Sequence, residues 1–137
     1  MSTAQITYLG GLTNSAVHLR SGSTITTDAP VDNQGKGQAF SPTDLLSVSL
    51  VTCMMTVMGI LAEQEGYDLD GMHAEMTKEM DGPPRKVGRI KVDLHLNGER
   101  LDATARMALE RAALNCPVAL SLHPDLAQDV AFLYDVR

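Results

Sequence analysis

Hydrophobic and polar residues alternate in short segments at the start of the chain. Residues 3–9, 15–20 and 23–28 are rich in Thr, Ile and Val and are separated by glycine-containing turns. This pattern is typical of a small antiparallel meander. Residues 29–40 then bring Pro, Asp, Asn and Gly together and predict a long loop, which in a compact domain is more often functional than not.

The most apolar segment of the chain follows this loop. Ser41-Pro42-Thr43-Asp44 favours a helix start, because it supplies a capping serine, a proline for the first helical position and an acid three residues after the cap. The helix is predicted to run to about Glu65 and to end at Gly66. Its apolar residues cover nearly the whole circumference, which predicts a helix that is buried on all sides at the centre of the molecule.

The second half of the chain shows both strand and helix patterns. Two strands, a helix and a last strand are predicted over residues 67–80, 87–96, 101–115 and 130–136. Asp102 is predicted to cap the helix, and Cys116-Pro117 to interrupt it, because the residue before a proline avoids helical geometry. A short helical turn through Leu122 follows. These elements predict a single α+β domain over residues 1–137.

Composition restricts the possible partners. The net charge of −6 and the isoelectric point near 5.0 argue against nucleic-acid binding, which needs clustered Lys and Arg. The apolar run from Leu45 to Ala62 is about the minimum length to span a bilayer, but it contains Ser, Thr and Gly and lacks basic anchors, so we expect a buried helix and no membrane partner. The N-terminus has no basic or apolar signal-like region, and we expect a cytoplasmic protein.

Only two cysteines occur, at positions 53 and 116, and each has two interpretations. Cysteine is often a small buried hydrophobe, so both could simply pack in the core. Cys53 lies too far along its helix, roughly 18 Å from the N-terminus, for the helix dipole to acidify it. Cys116 precedes Pro117 at a predicted N-cap, which favours a thiolate. If Cys53 reacts, a cation must come from elsewhere in the fold.

Other chemistry receives little support from the sequence. The candidate cations include Arg20, predicted in the second strand, where arginine is usually a solvated residue. The four histidines show no metal-ligand spacing, and no nucleophile-elbow, phosphate-binding or dinucleotide motif occurs, so we expect neither a metal nor a cofactor. Thiol chemistry and simple binding remain as alternatives.

Two motifs carry a family resemblance. The sequence from Ser41 to Cys53, SPTDLL followed by TC, and the sequence NCPVALSL from Asn115 to Leu122 resemble the OsmC/Ohr family of osmotically inducible and organic-hydroperoxide-resistance proteins. The resemblance covers essentially the whole chain. It implies an OsmC-like fold, with antiparallel sheets wrapped around the central helix in an intertwined homodimer.

The resemblance also implies a thiol peroxidase and the roles of its residues. Cys53 corresponds to the cysteine that attacks the peroxide, and Cys116 to the one that resolves the sulfenic acid, before an external dithiol reduces the disulfide. Arg20 matches the family's N-terminal arginine, because it stands eight residues before Asp28. Its guanidinium would supply the cation for Cys53.

One position departs from the organic-hydroperoxide-resistance branch. The glutamate expected ten residues before the reactive cysteine is Thr43 here, and the nearest acid is Asp44, one residue later. Asp44 is therefore either the arginine partner or only the acid of the capping box.

The alternatives to a peroxidase are a noncatalytic small-molecule-binding domain with a Met-rich core and a structural dimer. A dimer is expected because three short strands cannot cover an apolar helix of roughly 33 Å.

Overall fold

A computed structural model describes all residues of the chain, from Met1 to Arg137. The chain falls into two compact units, residues 1–46 and residues 47–137. The single-domain organisation stays a prediction. The strands and helices confirm the α+β fold class, and their bounds differ from the sequence-based expectation at a few ends.

The first unit contains the predicted meander. Strands β1 (Ala4–Gly10), β2 (Thr13–His18) and β3 (Thr24–Asp28) form an antiparallel sheet in the order β1-β2-β3. Strand β2 ends two residues earlier than predicted, because the backbone N–H of Gly22 donates to the carbonyl of His18 and closes a turn there. Gly22 has a φ of 76°, which favours glycine at this turn.

The loop after β3 is held by a buried carboxylate. Asp28 is 3% exposed, and its side chain accepts hydrogen bonds from the hydroxyl of Thr13 and from the backbone N–H of Gln38. The bond from Thr13 is the main reason that the pKa of Asp28 lies below its usual range. Val31–Asn33 forms one turn of 3-10 helix within the loop. The loop is therefore fixed to the sheet at both of its ends.

The long helix α1 spans Pro42–Glu65 and begins as predicted. Ser41 Oγ accepts from the N–H of Asp44, and Asp44 Oδ2 accepts from the N–H of Ser41, each at 3.0 Å. These reciprocal bonds form a capping box. Gly66 ends the helix with a φ of 76°, as its position predicted.

The prediction that α1 is buried on all sides is wrong for the single chain. One face is buried, through Ser47, Leu50, Val51, Met54, Met58 and Ala62. On other faces Leu46 is 38% and Ile60 is 53% exposed. By length and composition α1 could cross a bilayer, and 33% of its most apolar window is buried inside the chain. Because apolar residues surround α1, the sequence pattern could not predict which face of the helix is buried by this chain and which is exposed.

The second unit contains a mixed sheet and two helices. Strands β4 (His73–Asp81), β5 (Lys86–Asn97) and β6 (Ala127–Val136) lie in the order β4-β5-β6, with the first pair antiparallel and the second pair parallel. The connection from β5 to β6 contains helices α2 (Ala103–Leu114) and α3 (Pro117–Ser121). Asp102 caps α2 as predicted, since its Oδ1 accepts from the N–H of Ala105 at 2.9 Å.

Strands β4 and β6 differ from their predicted starts. Strand β4 begins at His73, because the preceding residues turn: Asp68 Oδ1 accepts from the N–H of Asp70, and Gly71 has a φ of 82°. Strand β6 begins earlier than predicted, at Ala127, because it pairs with β5 from Arg89 onward.

The hydrophobic core lies in the second unit. It joins the buried face of α1 to β5 and α2, through residues that include Ile90, Val92, Leu94, Leu96, Ala105, Leu109 and Ala113. Complete burial of a Val, Leu or Ile side chain stabilises a fold by about 1.5–3 kcal/mol. Cys116 belongs to this core, and Cys53 packs against it. The core of the second unit thus contacts both sulfur atoms.

Gly35 gives a test of the loop. A Cβ at this position would meet the carbonyl oxygen of Ala29 well inside van der Waals contact. We therefore expect Gly35→Ala to lower the free energy of unfolding by about 1–3 kcal/mol, measured by urea denaturation.

The neighbouring Gln34 supplies the matched control. Gln34 has a φ of 67°, where glycine is tolerated without steric cost. Gln34→Gly should leave stability within about 0.5 kcal/mol of the wild type or raise it. Equal losses in the two variants would contradict the proposed packing of the loop.

Candidate active site

The fold brings the two cysteines together. Both are free thiols, Cys53 half-buried on α1 and Cys116 only 1% exposed. Although they are far apart in sequence, their side chains interact: hydrogen bonding to Cys53 and negative charge on Cys53 both act on the Cys116 thiol. The sequence could not determine this proximity, which depends on the packing of α1 against the segment that joins α2 to α3.

Cys116 is the N-cap of α3, as its place before Pro117 predicted. Its Sγ accepts a hydrogen bond from the backbone N–H of Ala119 at 3.4 Å. The expectation that this position favours a thiolate is wrong. Burial raises the pKa of the Cys116 thiol, Cys53 raises it further, and the Ala119 N–H only partly offsets these effects. Cys116 is therefore held as a neutral thiol.

A neutral thiol beside a second sulfur is suited to a defined order of reaction. A negative charge on Cys53 disfavours ionisation of Cys116, because two neighbouring thiolates would repel each other. Cys116 can thus donate a hydrogen bond to a charged Cys53 and react as the second partner. This asymmetry arises from burial, since Cys53 is the more exposed of the two residues.

Arg20 lies on the first unit, outside the strand in which it was predicted. It is exposed in the turn between β2 and β3, after the end of β2 at His18. Both thiols belong to the second unit. Arg20 as the cation for Cys53 therefore stays a prediction.

Asp44 is accounted for as the acid of the capping box. Its carboxylate accepts from the N–H of Ser41, and Thr43 at the preceding position places its Oγ1 3.3 Å from Ser41 Oγ. The capping interpretation of Asp44 is confirmed. Its second possible role, as the partner of Arg20, stays a prediction.

An apolar pocket lies between α1 and β4 in the second unit. Its volume is about 440 Å³, and it is lined by Val48, Val51, Thr52, Met55, Met72, His73, Ala74 and Met76. Thr52 directly precedes Cys53 on the helix. The pocket can accept an apolar group of a small molecule.

A cluster of histidines and acids on the second sheet was missed in the sequence. Strand pairing places His73 opposite His95, and their rings stack with centroids 4.6 Å apart. His95 Nε2 lies 2.7 Å from Glu75 Oε2, and its Nδ1 lies 2.9 Å from Asp135 Oδ1. The hydrogen bond to Asp135 is the main reason that the pKa of His95 lies above its ordinary value.

The register of β4 and β5 explains why this cluster was missed. The pairing shifts by one residue between Met80↔Val87 and Glu79↔Arg89, so that Gly88 is an extra residue in β5. Counted from the turn without this bulge, His73 would have faced Leu94. Gly88 is a signal of this shift in the sequence, because a glycine inside a strand often marks a bulge.

Comparisons with known proteins agree with this fold. A family profile described as OsmC-like protein matches residues 35–129. A solved structure of a proposed osmotic stress induced and detoxification response protein from Psychrobacter arcticus is 48% identical, with a TM-score of 0.91 and 96% of each chain covered. No curated protein is similar enough to give a match.

Two further solved structures share the fold at low sequence identity. The organic hydroperoxide resistance protein OsmC of Legionella pneumophila is 17% identical, with a TM-score of 0.71 over 97% of this chain and 98% of that chain. The organic hydroperoxide resistance protein OhrB of Bacillus subtilis is 19% identical, with a TM-score of 0.65 over 96% of this chain and 98% of that chain.

The contact between the two thiols makes a chemical prediction. Diamide should oxidise the native chain to an intramolecular Cys53–Cys116 disulfide, because the sulfur atoms already interact. Mass spectrometry under non-reducing conditions should find the loss of two hydrogen atoms and one peptide pair joined through these residues. The Cys116→Ser variant should form no intramolecular bridge. Two thiols that stay unlinked in the folded wild type would contradict the proximity.

Proposed function

Because this chain belongs to the OsmC-like protein family, we propose that it is a thiol-dependent peroxidase that reduces organic hydroperoxides. The observation that carries the proposal is the interaction of the half-buried Cys53 with the buried Cys116. The names of the Legionella and Bacillus proteins that share the fold support the substrate class. The activity is one that the chain's own side chains can supply without a cofactor.

In the first step, the Cys53 thiolate attacks the terminal oxygen of the hydroperoxide. The S–O bond forms as the O–O bond breaks, so Cys53 is oxidised to a sulfenic acid. The alkoxide that leaves takes up a proton and is released as an alcohol. Arg20 is proposed to stabilise the thiolate and the developing negative charge, with Asp44 as the acid that orients it.

In the second step, Cys116 attacks the sulfur of the Cys53 sulfenic acid. The disulfide forms, and the hydroxyl group leaves as water with the proton of the Cys116 thiol. Because burial keeps Cys116 neutral, this cysteine does not compete for peroxide in the first step. An external dithiol then reduces the disulfide by exchange and is itself oxidised to a disulfide. Such a cycle is suited to the cytoplasm, where dithiol reductants act.

The apolar pocket between α1 and β4 favours alkyl hydroperoxides over hydrogen peroxide. Its Val and Met side chains can cover a hydrocarbon chain whose peroxide group reaches the neighbouring turn of α1. Burial of each CH₂ group contributes about 0.8 kcal/mol, so longer alkyl chains are expected to bind more tightly.

The same pocket supports a second candidate function, which is noncatalytic binding of an apolar small molecule. In that case the two cysteines pack in the core and react with no peroxide. A titration of free thiols distinguishes the two functions, because only the enzyme loses both thiols on exposure to peroxide and regains them with a dithiol.

We propose that the protein acts as a homodimer, with no nucleic-acid or membrane partner. The support is the exposed apolar surface of α1, including Ile60, together with Ile6, Tyr8 and Leu9 of β1, which are all more than half exposed. Exposed apolar residues that lie together on one element are candidates for burial against a second copy of the chain. The net charge of −6 disfavours association with a phosphate backbone.

Stopped-flow kinetics test the peroxidase. The reduced wild type should consume cumene hydroperoxide, and Cys53→Ser should lose at least about 100-fold of the second-order rate, because it lacks the nucleophile. Cys116→Ser should react once and then accumulate a sulfenic acid that dimedone traps. Equal rates for wild type and Cys53→Ser would end the peroxidase proposal and favour the binding function.

Arg20 provides a second arm of the same experiment. Arg20→Met removes the cation and should lower the rate with peroxide, whereas Arg137→Met, at an exposed position 85% accessible, should not. An unchanged rate in Arg20→Met would remove this residue from the mechanism and leave the roles of the two cysteines in place.

Sedimentation velocity tests the homodimer. The wild type should sediment as a dimer at micromolar concentration, and Ile60→Glu should shift it toward monomer, because a charge would be placed on the exposed side of α1. Met107→Glu, at a 64% exposed apolar residue of α2, is the matched control and should remain dimeric. A monomeric wild type would contradict the proposal.

A further inference from the structure

We propose that His73, Glu75 and His95 form a binding site for a divalent transition-metal ion, such as Zn²⁺, on the outer face of the second sheet. This site belongs to neither cysteine and does not depend on the peroxidase proposal. Each of the three side chains offers one ligand atom, and these atoms all lie within 4.8 Å of one another. Two imidazoles and one carboxylate are ligands that Zn²⁺ accepts.

The strand register creates the site. His73 and Glu75 lie two residues apart on β4 and therefore project from the same face, and His95 lies directly opposite His73 on β5. His73 and Glu75 are exposed, and the His95 side chain is 16% exposed. An ion from solvent can thus reach all three residues without any opening of the core.

Both histidines are oriented in the way that metal-binding histidines usually are. His73 Nδ1 lies 2.9 Å from the carbonyl oxygen of Gly71, and His95 Nδ1 lies 2.9 Å from Asp135 Oδ1. When Nδ1 donates to an oxygen acceptor, the lone pair for a metal is placed on Nε2. Carboxylate–histidine–metal and carbonyl–histidine–metal arrangements of this kind are the common second layer of zinc sites. The cluster therefore has both a ligand set and the groups that orient it.

Metal binding requires a small rearrangement. Donor atoms in a tetrahedral zinc site lie about 3.4 Å apart, given Zn–N distances near 2.1 Å. The two rings are now stacked, with an angle of 9° between their planes, so His73 must rotate for its Nε2 lone pair to converge with that of His95. Its exposed ring can make this movement. Glu75 Oε2 now accepts a hydrogen bond from His95 Nε2, so metal binding must release that proton to solvent, after which Glu75 would bind the ion beside Nε2.

The choice of ion follows from the donors. Imidazole nitrogen suits Zn²⁺, Ni²⁺ and Cu²⁺, whereas Mg²⁺ and Ca²⁺ prefer oxygen alone. Because the three ligands come from two strands, a bound ion would connect β4 to β5 and stabilise the folded state over the unfolded state. The expected consequence is a rise in melting temperature with metal.

The test identifies the ligand atoms in the intact protein. In the reduced wild type, titration with Zn²⁺ should shift the ring-nitrogen NMR resonances of His73 and His95, and those of His18 and His123 should stay in place. Because thiols also bind Zn²⁺, the stoichiometry is measured by calorimetry in the Cys53→Ser/Cys116→Ser variant. One ion per chain is expected there, and Mg²⁺ should give no heat.

Matched histidine variants decide the outcome. In that background His73→Ala should weaken binding at least about tenfold and abolish the metal-dependent rise in melting temperature. His123→Ala removes an exposed histidine that lies beside Asp125 and should bind as the parent does. Unshifted His73 and His95 resonances in the wild type, or equal affinities for His73→Ala and His123→Ala, would overturn the proposal. The NMR arm holds even if a serine variant does not fold.

Discussion

Burial of one thiol beside another is the interaction on which the proposed chemistry of this protein depends. An apolar environment favours the neutral form of a thiol, so burial alone would make both cysteines unreactive. The two cysteines differ in their burial: Cys116 is enclosed by the core, whereas Cys53 is only half-buried. In the proposed mechanism this difference in exposure, and not the type of residue, separates the nucleophile Cys53 from the resolving thiol Cys116.

The core is built from the elements that place these two sulfur atoms. Strand β5 lies in the middle of the second sheet, and its side chains Ile90, Val92 and Leu94 are fully buried beneath α1 and α2. Cys116, the N-cap of α3, belongs to the same core, and Cys53 on α1 packs against it. The chain contains no Trp, and the flexible side chains of the buried Met54 and Met58 can fill irregular gaps in the core.

The sequence predicts correctly those features of the fold that depend on residues close together in the chain. The capping box of Ser41 and Asp44, the cap at Asp102 and the break at Cys116-Pro117 were all predicted and are confirmed, because each depends on residues at most three positions apart. Arg20 was assigned to a strand because the turn that ends β2 depends on a hydrogen bond to His18 from a residue four positions later. The proximity of the two thiols could be anticipated only through a family resemblance.

A single inserted residue shows why the rest could not be predicted. Gly88 shifts the pairing of β4 with β5, and a shift of one residue exchanges the two faces of a strand. Val87 and Ile90 are both buried for this reason, although they are three positions apart. Alternation along β5 predicts that Leu94 faces the core and His95 the outer face, and the shift places His95 directly opposite His73.

The sheet consequently separates two kinds of chemistry. Its inner face is apolar and belongs to the core that surrounds the thiols, whereas its outer face carries imidazoles and carboxylates that bind one another in solvent. Because soft sulfur and borderline nitrogen ligands compete for the same ions, their placement on opposite faces would keep a metal at the proposed histidine site away from the cysteines. The bulge in β5 thus places His95 opposite His73 on the face of the sheet that lies away from the core.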